Sequence, residues 1–244
     1  MWLCGRPSNR TWFDGFELTM MRFFARLWHR CSSTGPDPLP AAGPAIIIAN
    51  HPSHADPAFL LASCRRPICF LQARECYEVF LLRWLFDRVG CIPVARDGQD
   101  IAAVRQALRC LQEGKVLGIF PEGDLTPVAG FGTGEGKGGA ALLALRSRAP
   151  VYPVWIAGGP RHGFMVRDWL WPSGGVRVHF GPPLDLTGYQ GRPITHQLLK
   201  EVTELFMRHI SQLRPPPNPR PTIAGLLAGR KQNLSAESPV VPGP

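Results

Sequence analysis

Apolar residues follow two different periods along this chain. Runs of consecutive apolar residues, many of them β-branched, are typical of buried strands, whereas apolar residues three or four positions apart are typical of amphipathic helices. Their alternation predicts an α/β domain with a mixed, mostly parallel sheet flanked by helices. The predicted strands are residues 45–49, 68–72, 116–120, 151–157 and 176–180, and the predicted helices are residues 57–64, 101–111, 140–148 and 195–213.

Residues 16–30 are predicted to form an additional, N-terminal amphipathic helix. An aromatic apolar face opposite a basic face suits the interface of an anionic membrane, but a helix covering the domain core would show the same pattern. Residues 75–89, apolar around most of a helical circumference, suit either burial or contact with lipid. The apolar face of the N-terminal helix comprises Phe16, Met20, Phe23, Phe24 and Leu27, and its basic face comprises Arg22, Arg26 and Arg30.

Length and composition divide the chain into three regions. At 244 residues it has room for one substantial domain, whereas a second compact domain would be cramped. We expect a membrane-contact segment over residues 1–34, the α/β domain over residues 35–213 and a proline-rich, disordered tail over residues 214–244.

The net charge of +9 predicts attraction to an anionic partner. The basic residues are scattered and lack interleaved aromatic residues, so the pattern favours an anionic membrane surface over nucleic acid. Seven cysteines without a Cys-x-x-Cys pair indicate neither a disulfide framework nor a zinc cluster. Because the chain also lacks a long apolar run and a secretory signal, we expect a peripheral protein on the cytoplasmic face of a membrane.

The first predicted strand of the domain is followed by a turn that carries candidate catalytic side chains. Its sequence is Asn50-His51-Pro52-Ser53-His54-Ala55-Asp56. His51 and Asp56 are five residues apart, and prolines bend the chain between and after them, so the two side chains can converge. The carboxylate would then accept a hydrogen bond from one imidazole nitrogen while the other nitrogen removes a proton from a substrate hydroxyl. Asp56 followed by Pro57 also suits the N-cap of a helix.

Three further segments follow in order: Gly90 to Arg96, Phe120 to Gly123, and Ala149 to Val154. Together with the histidine turn they resemble the blocks of the 1-acyl-glycerol-3-phosphate acyltransferases and related lysophospholipid acyltransferases. The signature of this glycerolipid acyltransferase family is His, four residues, Asp. The resemblance implies an O-acyltransferase of phospholipid biosynthesis with the α/β fold expected above.

The resemblance also implies roles for individual residues. His51 would be the base that deprotonates the acceptor hydroxyl, and Asp56 its partner. The acyl donor would be a thioester of coenzyme A or acyl carrier protein, used directly and without a cofactor, and the acceptor a lysophosphatidate or related lysophospholipid. The implied substrate-binding residues are Arg96, Glu122, Gly123 and Pro153.

Some of these positions have simpler interpretations. Arg96 could lie at the edge of the sheet, and Glu122 could be a solvated residue at the end of a strand. The glycine-rich stretch over residues 130–139 is either a flexible loop or a place where backbone amides and Lys137 approach a phosphate.

One departure from the family pattern concerns the acceptor. The third block usually continues Gly-Thr-Arg-Ser, with the arginine implicated in binding glycerol phosphate, whereas this chain has Gly123-Asp124-Leu125-Thr126. A dianionic acceptor should bind less well unless Lys137 or another cation substitutes. The alternative acceptor is a non-phosphatidate lyso-lipid, such as an amino-acid lipid.

Two other classes of protein compete with an acyltransferase. His51, His54 and Asp56 could bind a metal in a hydrolase, but the metallo-β-lactamase pattern is His-x-His-x-Asp-His, so the first gap is wrong and Pro57 replaces the last histidine. No metal site is therefore predicted. A basic protein that binds anionic lipid without turnover is the non-enzymatic alternative, and no oligomeric state is predicted.

Overall fold

The structure is a computed structural model, and it describes residues 12–35, 37–78, 90–95, 100–125 and 136–215. Its helices are α1 Trp12–Leu27, α2 Asp56–Ser63, α3 Ile101–Gln112, α4 Gly139–Ser147, α5 Met165–Leu170 and α6 His196–Gln212. Its strands are β1 Ser32–Thr34, β2 Ala45–Ala49, β3 Ile68–Ala73, β4 Ile92–Val94, β5 Val116–Ile119, β6 Val151–Ala157 and β7 Arg177–Phe180. Short 3₁₀ helices cover Arg74–Glu78 and Thr187–Tyr189.

The strands form one sheet in the order β1-β7-β6-β2-β5-β3-β4. All neighbouring pairs are parallel except β6 and β7, so the predicted mixed, mostly parallel sheet flanked by helices is confirmed. β2 lies in the middle between β5 and β6. Because parallel strands end at the same edge of a sheet, the turn after β2 and the loop after β5 lie side by side.

Helices cover both faces of the sheet, as the alternation of side chains along β2 illustrates. Ile46 and Ile48 belong to the core shared with α3, α4 and α6. Ile47 points the other way, into the core under α1 and α2. The central strand is therefore fully buried on both faces, which explains its uninterrupted apolar sequence.

The N-terminal helix differs from its prediction in extent. α1 ends at Leu27, three residues early, because the chain turns back through Arg30, whose φ is +48°, and Cys31 N donates to Ala25 O at 3.0 Å. The predicted helix over residues 75–89 is described only to residue 78, as a 3₁₀ helix, and its remainder lies outside the described residues. The tail from residue 216 also lies outside them, and the three-region division stays a prediction.

Two arginines of the predicted basic face, Arg22 and Arg26, bind backbone carbonyls of the protein. The Arg22 guanidinium donates to the carbonyl oxygens of Leu61, Cys64 and Arg65 at 2.9 to 3.1 Å, and Arg26 donates to a fourth carbonyl in the same helix end at 2.9 Å. These carbonyls close α2, where the helix dipole favours a cation. These contacts attach α1 to the domain, which is one of the two uses that its amphipathic pattern allows.

The side chain of Asn50 continues the pairing of β2 with β6 past the end of the strand. Its amide nitrogen donates to Ile156 O at 2.9 Å, and its amide oxygen accepts from Ile156 N at 2.7 Å. The Asn50 side chain is buried, so water could not replace it as the hydrogen-bond partner of the backbone N–H and C=O of Ile156. Asn50 thus fixes the start of the histidine turn.

We predict that Asn50→Ala lowers the free energy of unfolding by about 2–4 kcal/mol, because it leaves a buried donor and a buried acceptor unpaired. Urea denaturation followed by circular dichroism measures this change. Gln197→Ala, which removes an exposed amide on α6, serves as control and should change it by less than about 0.5 kcal/mol. Equal, small losses in both variants would contradict the role given to Asn50.

Candidate active site

The predicted pair of His51 and Asp56 forms. Asp56 is the first residue of α2 and is 0% exposed, and its Oδ2 lies 2.9 Å from His51 Nδ1. The same oxygen accepts from Ser53 N at 2.8 Å. The N-cap prediction is wrong, because Ala55 precedes the helix and the carboxylate bonds back into the turn. Asp56 therefore holds both the imidazole and the backbone of the turn.

This contact decides which nitrogen of His51 is available. A carboxylate accepts hydrogen bonds, so the neutral imidazole keeps its proton on Nδ1 and presents Nε2 as an acceptor. The side chain of His51 is 19% exposed, so a substrate can reach it. The pair can therefore accept a proton from a hydroxyl group placed at Nε2.

Burial sets the electrostatics of the pair. It raises the pKa of Asp56, and the hydrogen bond from His51 opposes that rise. Asp56 Oδ1 is buried and has no hydrogen-bond partner, so the carboxylate relies on few contacts to offset its lost hydration. A positive charge on His51 would stabilise the Asp56 carboxylate further.

Phe120 fixes the plane of the imidazole. Its ring stacks on His51 with centroids 4.0 Å apart and an interplanar angle of 14°. Phe70 stacks behind Phe120 with centroids 6.1 Å apart. The face of an aromatic ring attracts a cation, so Phe120 also stabilises the charge that His51 gains when it takes a proton.

Glu122 lies beside the pair, and its interpretation as a solvated strand-end residue is wrong. Its carboxyl is half-buried and accepts a hydrogen bond from the backbone N–H of His51. Burial raises its pKa to about 7, and the charge of His51 opposes the rise. A substantial fraction of Glu122 is therefore neutral at pH 7.

The structure brings Lys137 to the block that contains Glu122. Lys137 N donates to Pro121 O at 2.7 Å, and its side chain lies across Gly123. A Cβ at Gly123 would stand 2.6 Å from Lys137 Cδ and 3.0 Å from Nζ, and the backbone there has φ of +68°. The positive φ favours glycine at position 123, whereas the flexible side chain of Lys137 could move away from a Cβ.

The remaining predicted site residues are more distant or outside the described residues. Pro153 is buried inside β6, pairs with Ile48 and packs on Gly181, so it lies within the sheet rather than at its edge. Arg96 and Gly134 lie outside the described residues. The substrate-binding roles of Arg96 and Pro153 stay predictions.

A second His–Asp contact was not predicted. His54 Nδ1 lies 2.9 Å from Asp168 Oδ2, and the same carboxylate accepts from the backbone nitrogens of His54 and His162 at 3.2 and 2.8 Å. Asp168 belongs to α5 and is 1% exposed. His51 and His54 thus bind different aspartates. Within the described ranges, no three His, Cys, Asp or Glu side chains are grouped to hold a metal ion.

Known proteins resemble this chain in fold and in sequence. The fold is that of the 1-acyl-sn-glycerophosphate (LPA) acyltransferase PlsC from Thermotoga maritima, with a TM-score of 0.65 and 20% identity over 87% of this chain and 86% of that one. The chain is an enzyme of the O-acyltransferase class. The Acyltransferase family model matches residues 30–157, more than half of the chain, and the chain belongs to that family.

Relatives that are 25% to 28% identical to this chain carry a narrower name. The chain is 25% identical to the 1-acyl-sn-glycerol-3-phosphate acyltransferase of Borreliella burgdorferi, over 70% of this chain and 69% of that protein. It is 26% identical to the protein of the same name from Bacillus subtilis, over 56% and 65%. It spans 46% of the probable 1-acyl-sn-glycerol-3-phosphate acyltransferase of Mycoplasma pneumoniae at 28% identity.

The pKa of Glu122 predicts a pH dependence of stability. Its folded pKa, raised from 4.5 to about 7, means that the folded state binds the proton more tightly than the unfolded chain. The resulting stabilisation is complete below the unfolded value and is lost as the pH rises through about 7. Glu122→Gln keeps the shape of the side chain but cannot ionise, so we expect it to remove this contribution.

The measurement is the free energy of unfolding of wild type and Glu122→Gln from pH 4 to pH 8. The difference between the two proteins should change across the interval from 4.5 to about 7, with wild type losing stability relative to the variant as the pH rises. Glu201→Gln on α6 controls for removal of an exposed charge. Parallel curves for wild type and Glu122→Gln would refute the raised pKa.

Proposed function

We propose that this enzyme transfers a fatty acyl group from an acyl thioester to the hydroxyl of a 1-acyl-glycerol-3-phosphate or related lysophospholipid, as a step of phospholipid biosynthesis. The donor is a thioester of coenzyme A or acyl carrier protein. The observation that carries the proposal is the buried Asp56 carboxylate 2.9 Å from Nδ1 of His51, at the end of the central strand. The names of the relatives support the acceptor class.

In the proposed reaction His51 acts first as base and then as acid. Nε2 takes the proton of the acceptor hydroxyl as its oxygen attacks the thioester carbonyl carbon. The carbon–sulfur bond then breaks, and the proton on His51 passes to the leaving thiolate. Asp56 and the ring of Phe120 stabilise the imidazolium between these two steps.

Direct transfer fits the turn better than a covalent acyl-serine. Ser53 is fully buried, and its Oγ accepts a hydrogen bond from Ala55 N at 3.2 Å. An activated nucleophile needs an adjacent base and access to the substrate, and the burial of Ser53 denies it that access. The acceptor hydroxyl is therefore the nucleophile in this proposal.

Lys137, Glu122 and Gly123 form the proposed acceptor-binding part of the site. The ammonium of Lys137 supplies a cation near position 125, where the family pattern has an arginine and this chain has Leu125. A partly neutral Glu122 repels an anionic headgroup less than a fully ionised one. Arg96 is proposed as a second phosphate-binding cation, and Pro153 as a supporting residue, on the family resemblance alone.

Leu125 favours a second candidate acceptor, a lyso-lipid whose headgroup is not a free phosphate, such as an amino-acid lipid. One lysine provides a single-point contact where an arginine offers a bidentate one, so a dianionic phosphate is held less tightly. The acyl-transfer step is the same for both acceptors. A panel of lyso-lipids with different headgroups separates the two candidates.

We also propose that the enzyme works as a peripheral protein on the cytoplasmic face of an anionic membrane. The apolar residues Met20, Phe23 and Leu27 of α1 are exposed, and α1 is attached to the domain by its arginines. Among the described helices, none is long and apolar enough to cross a bilayer. α1 therefore presents exposed apolar residues for contact with lipid and binds the domain through its arginines.

We predict that His51→Gln lowers the rate of acyl transfer by about 10²–10⁴-fold, because the acceptor hydroxyl loses its base. The measurement is product formation from a labelled acyl thioester and lysophosphatidate, with circular dichroism to verify folding. His196→Gln, at the exposed start of α6, is the matched control and should keep wild-type activity. Near wild-type turnover by His51→Gln would eliminate the proposed base.

Lys137→Ala should raise the apparent KM for lysophosphatidate by roughly tenfold with little change in kcat, because it removes one charge contact made with the headgroup before and during transfer. Lys200→Ala on α6 is the control for loss of an exposed lysine. The effect should disappear with an acceptor that lacks a charged headgroup. An unchanged KM for lysophosphatidate would exclude Lys137 from the acceptor site.

A further inference from the structure

Exposed apolar side chains are concentrated on one part of the molecule. Ten large apolar side chains among the described residues are exposed, and eight of them belong to α1, α5 or the residues adjoining these helices. The other two, Ile101 and Ile194, lie at the starts of α3 and α6. The eight are 47% to 67% exposed: Met20, Phe23, Leu27, Trp28, Phe164, Val166, Leu170 and Trp171.

Direct contacts join the end of α1 to α5, and we call the surface that carries these eight residues the α1/α5 face. Trp28 Nε1 donates to Leu170 O at 3.0 Å, although the two residues are 142 positions apart. Phe24 stacks between Trp28 and Trp169, with centroid distances of 6.1 and 6.4 Å. His29 Nε2 lies 3.1 Å from Trp169 O. α5 is thus packed on the end of α1.

We propose that α5 is a second lipid-contact element, which enters the headgroup and acyl boundary of an anionic membrane together with α1. This goes beyond membrane contact by the N-terminal helix. A continuous apolar patch of this kind marks an interaction surface rather than ordinary exposed residues. Exposed tryptophans suit the lipid interface in particular, because the indole has an apolar body and a polar N–H.

The charges around the α1/α5 face favour an anionic lipid surface as its binding partner. Arg30 and Arg167 are exposed at the face and supply positive charge toward anionic headgroups. The acid of α5, Asp168, points inward to His54 and is 1% exposed, so it presents no negative charge to a membrane. The overall charge of +9 acts in the same direction.

The same aspartate fixes the α1/α5 face relative to the active site. Asp168 binds both the backbone and the side chain of His54, three residues after His51. If the proposed function holds, α5 therefore places the membrane contact close to the turn that carries His51. The lipid contact itself rests on the exposed residues and is independent of turnover.

Vesicle sedimentation tests this proposal with the full-length protein. Val166→Gln/Leu170→Gln removes apolar surface from α5, and Phe23→Gln/Leu27→Gln does so from α1. Ile101→Gln/Ile194→Gln is the control, because it changes exposed apolar residues away from the face. Vesicles of phosphatidylcholine with phosphatidylglycerol are compared with vesicles of phosphatidylcholine alone.

We expect the α5 variant and the α1 variant each to bind mixed vesicles roughly tenfold more weakly than wild type, with the control unchanged. Binding by the α5 variant as tight as wild type would overturn the proposal. So would a wild-type dimer that the α5 substitutions dissociate in vesicle-free solution, because the face would then be an interface between two copies.

Activity separates this proposal from the proposed reaction. The α5 variant should transfer acyl groups at the wild-type rate to a short-chain, water-soluble lysophosphatidate, and more slowly to the same headgroup in vesicles. A wild-type protein that binds vesicles through α5 but transfers nothing would contradict the reaction and support the lipid contact. Loss of activity on the soluble acceptor would contradict a role confined to lipid.

Discussion

A buried carboxylate that cannot be left unpaired organises the site. Asp56 has no access to water, so its charge depends on the hydrogen bonds from His51 and Ser53. Those two contacts bend the turn after β2 and direct the imidazole at the same time. These contacts are strongly favoured because a buried Asp56 carboxylate without hydrogen bonds would cost free energy. Asp56 therefore both orients the imidazole of His51 and shapes the turn that carries His51.

The sheet brings the other groups to this turn. β5 lies beside β2 in parallel register, so Phe120 and Glu122 reach His51 although they are about seventy positions away along the chain. Phe120 positions the ring, and Glu122 adds a carboxyl whose charge is suppressed by burial. The site thus combines the hydrogen-bonded pair of His51 and Asp56 with a neighbouring acid that is partly neutral near pH 7.

Much of this arrangement was predictable, because its signals are local. The strands at β2, β5 and β6 are continuous apolar runs, and the His51 and Asp56 pairing follows from a short bent segment. β1 was missed because all three of its residues are exposed, which leaves no apolar pattern. α5 was missed because six residues are too few to show a helical period.

Long-range polar contacts were beyond prediction for a different reason. The 114 positions between His54 and Asp168 carry no pattern that would connect them, and only the folded chain brings them together. The orientation of α1 shows the same limit: its arginines could face either lipid or carbonyl oxygens, and the position of α2 decides between them. Sequence periodicity defines a face but not its partner.

We propose that His51 and Asp56 promote direct transfer of an acyl group from a thioester to a lyso-lipid hydroxyl. The most direct measurement incubates the purified protein with a labelled acyl thioester and a panel of lyso-lipids, and follows both lipid products and the intact mass of the protein. We expect labelled diacyl product only when thioester and lyso-lipid are both present, with the mass of the protein unchanged. An acyl-protein adduct that forms and decays at the rate of turnover, or no product from any acceptor, would contradict it.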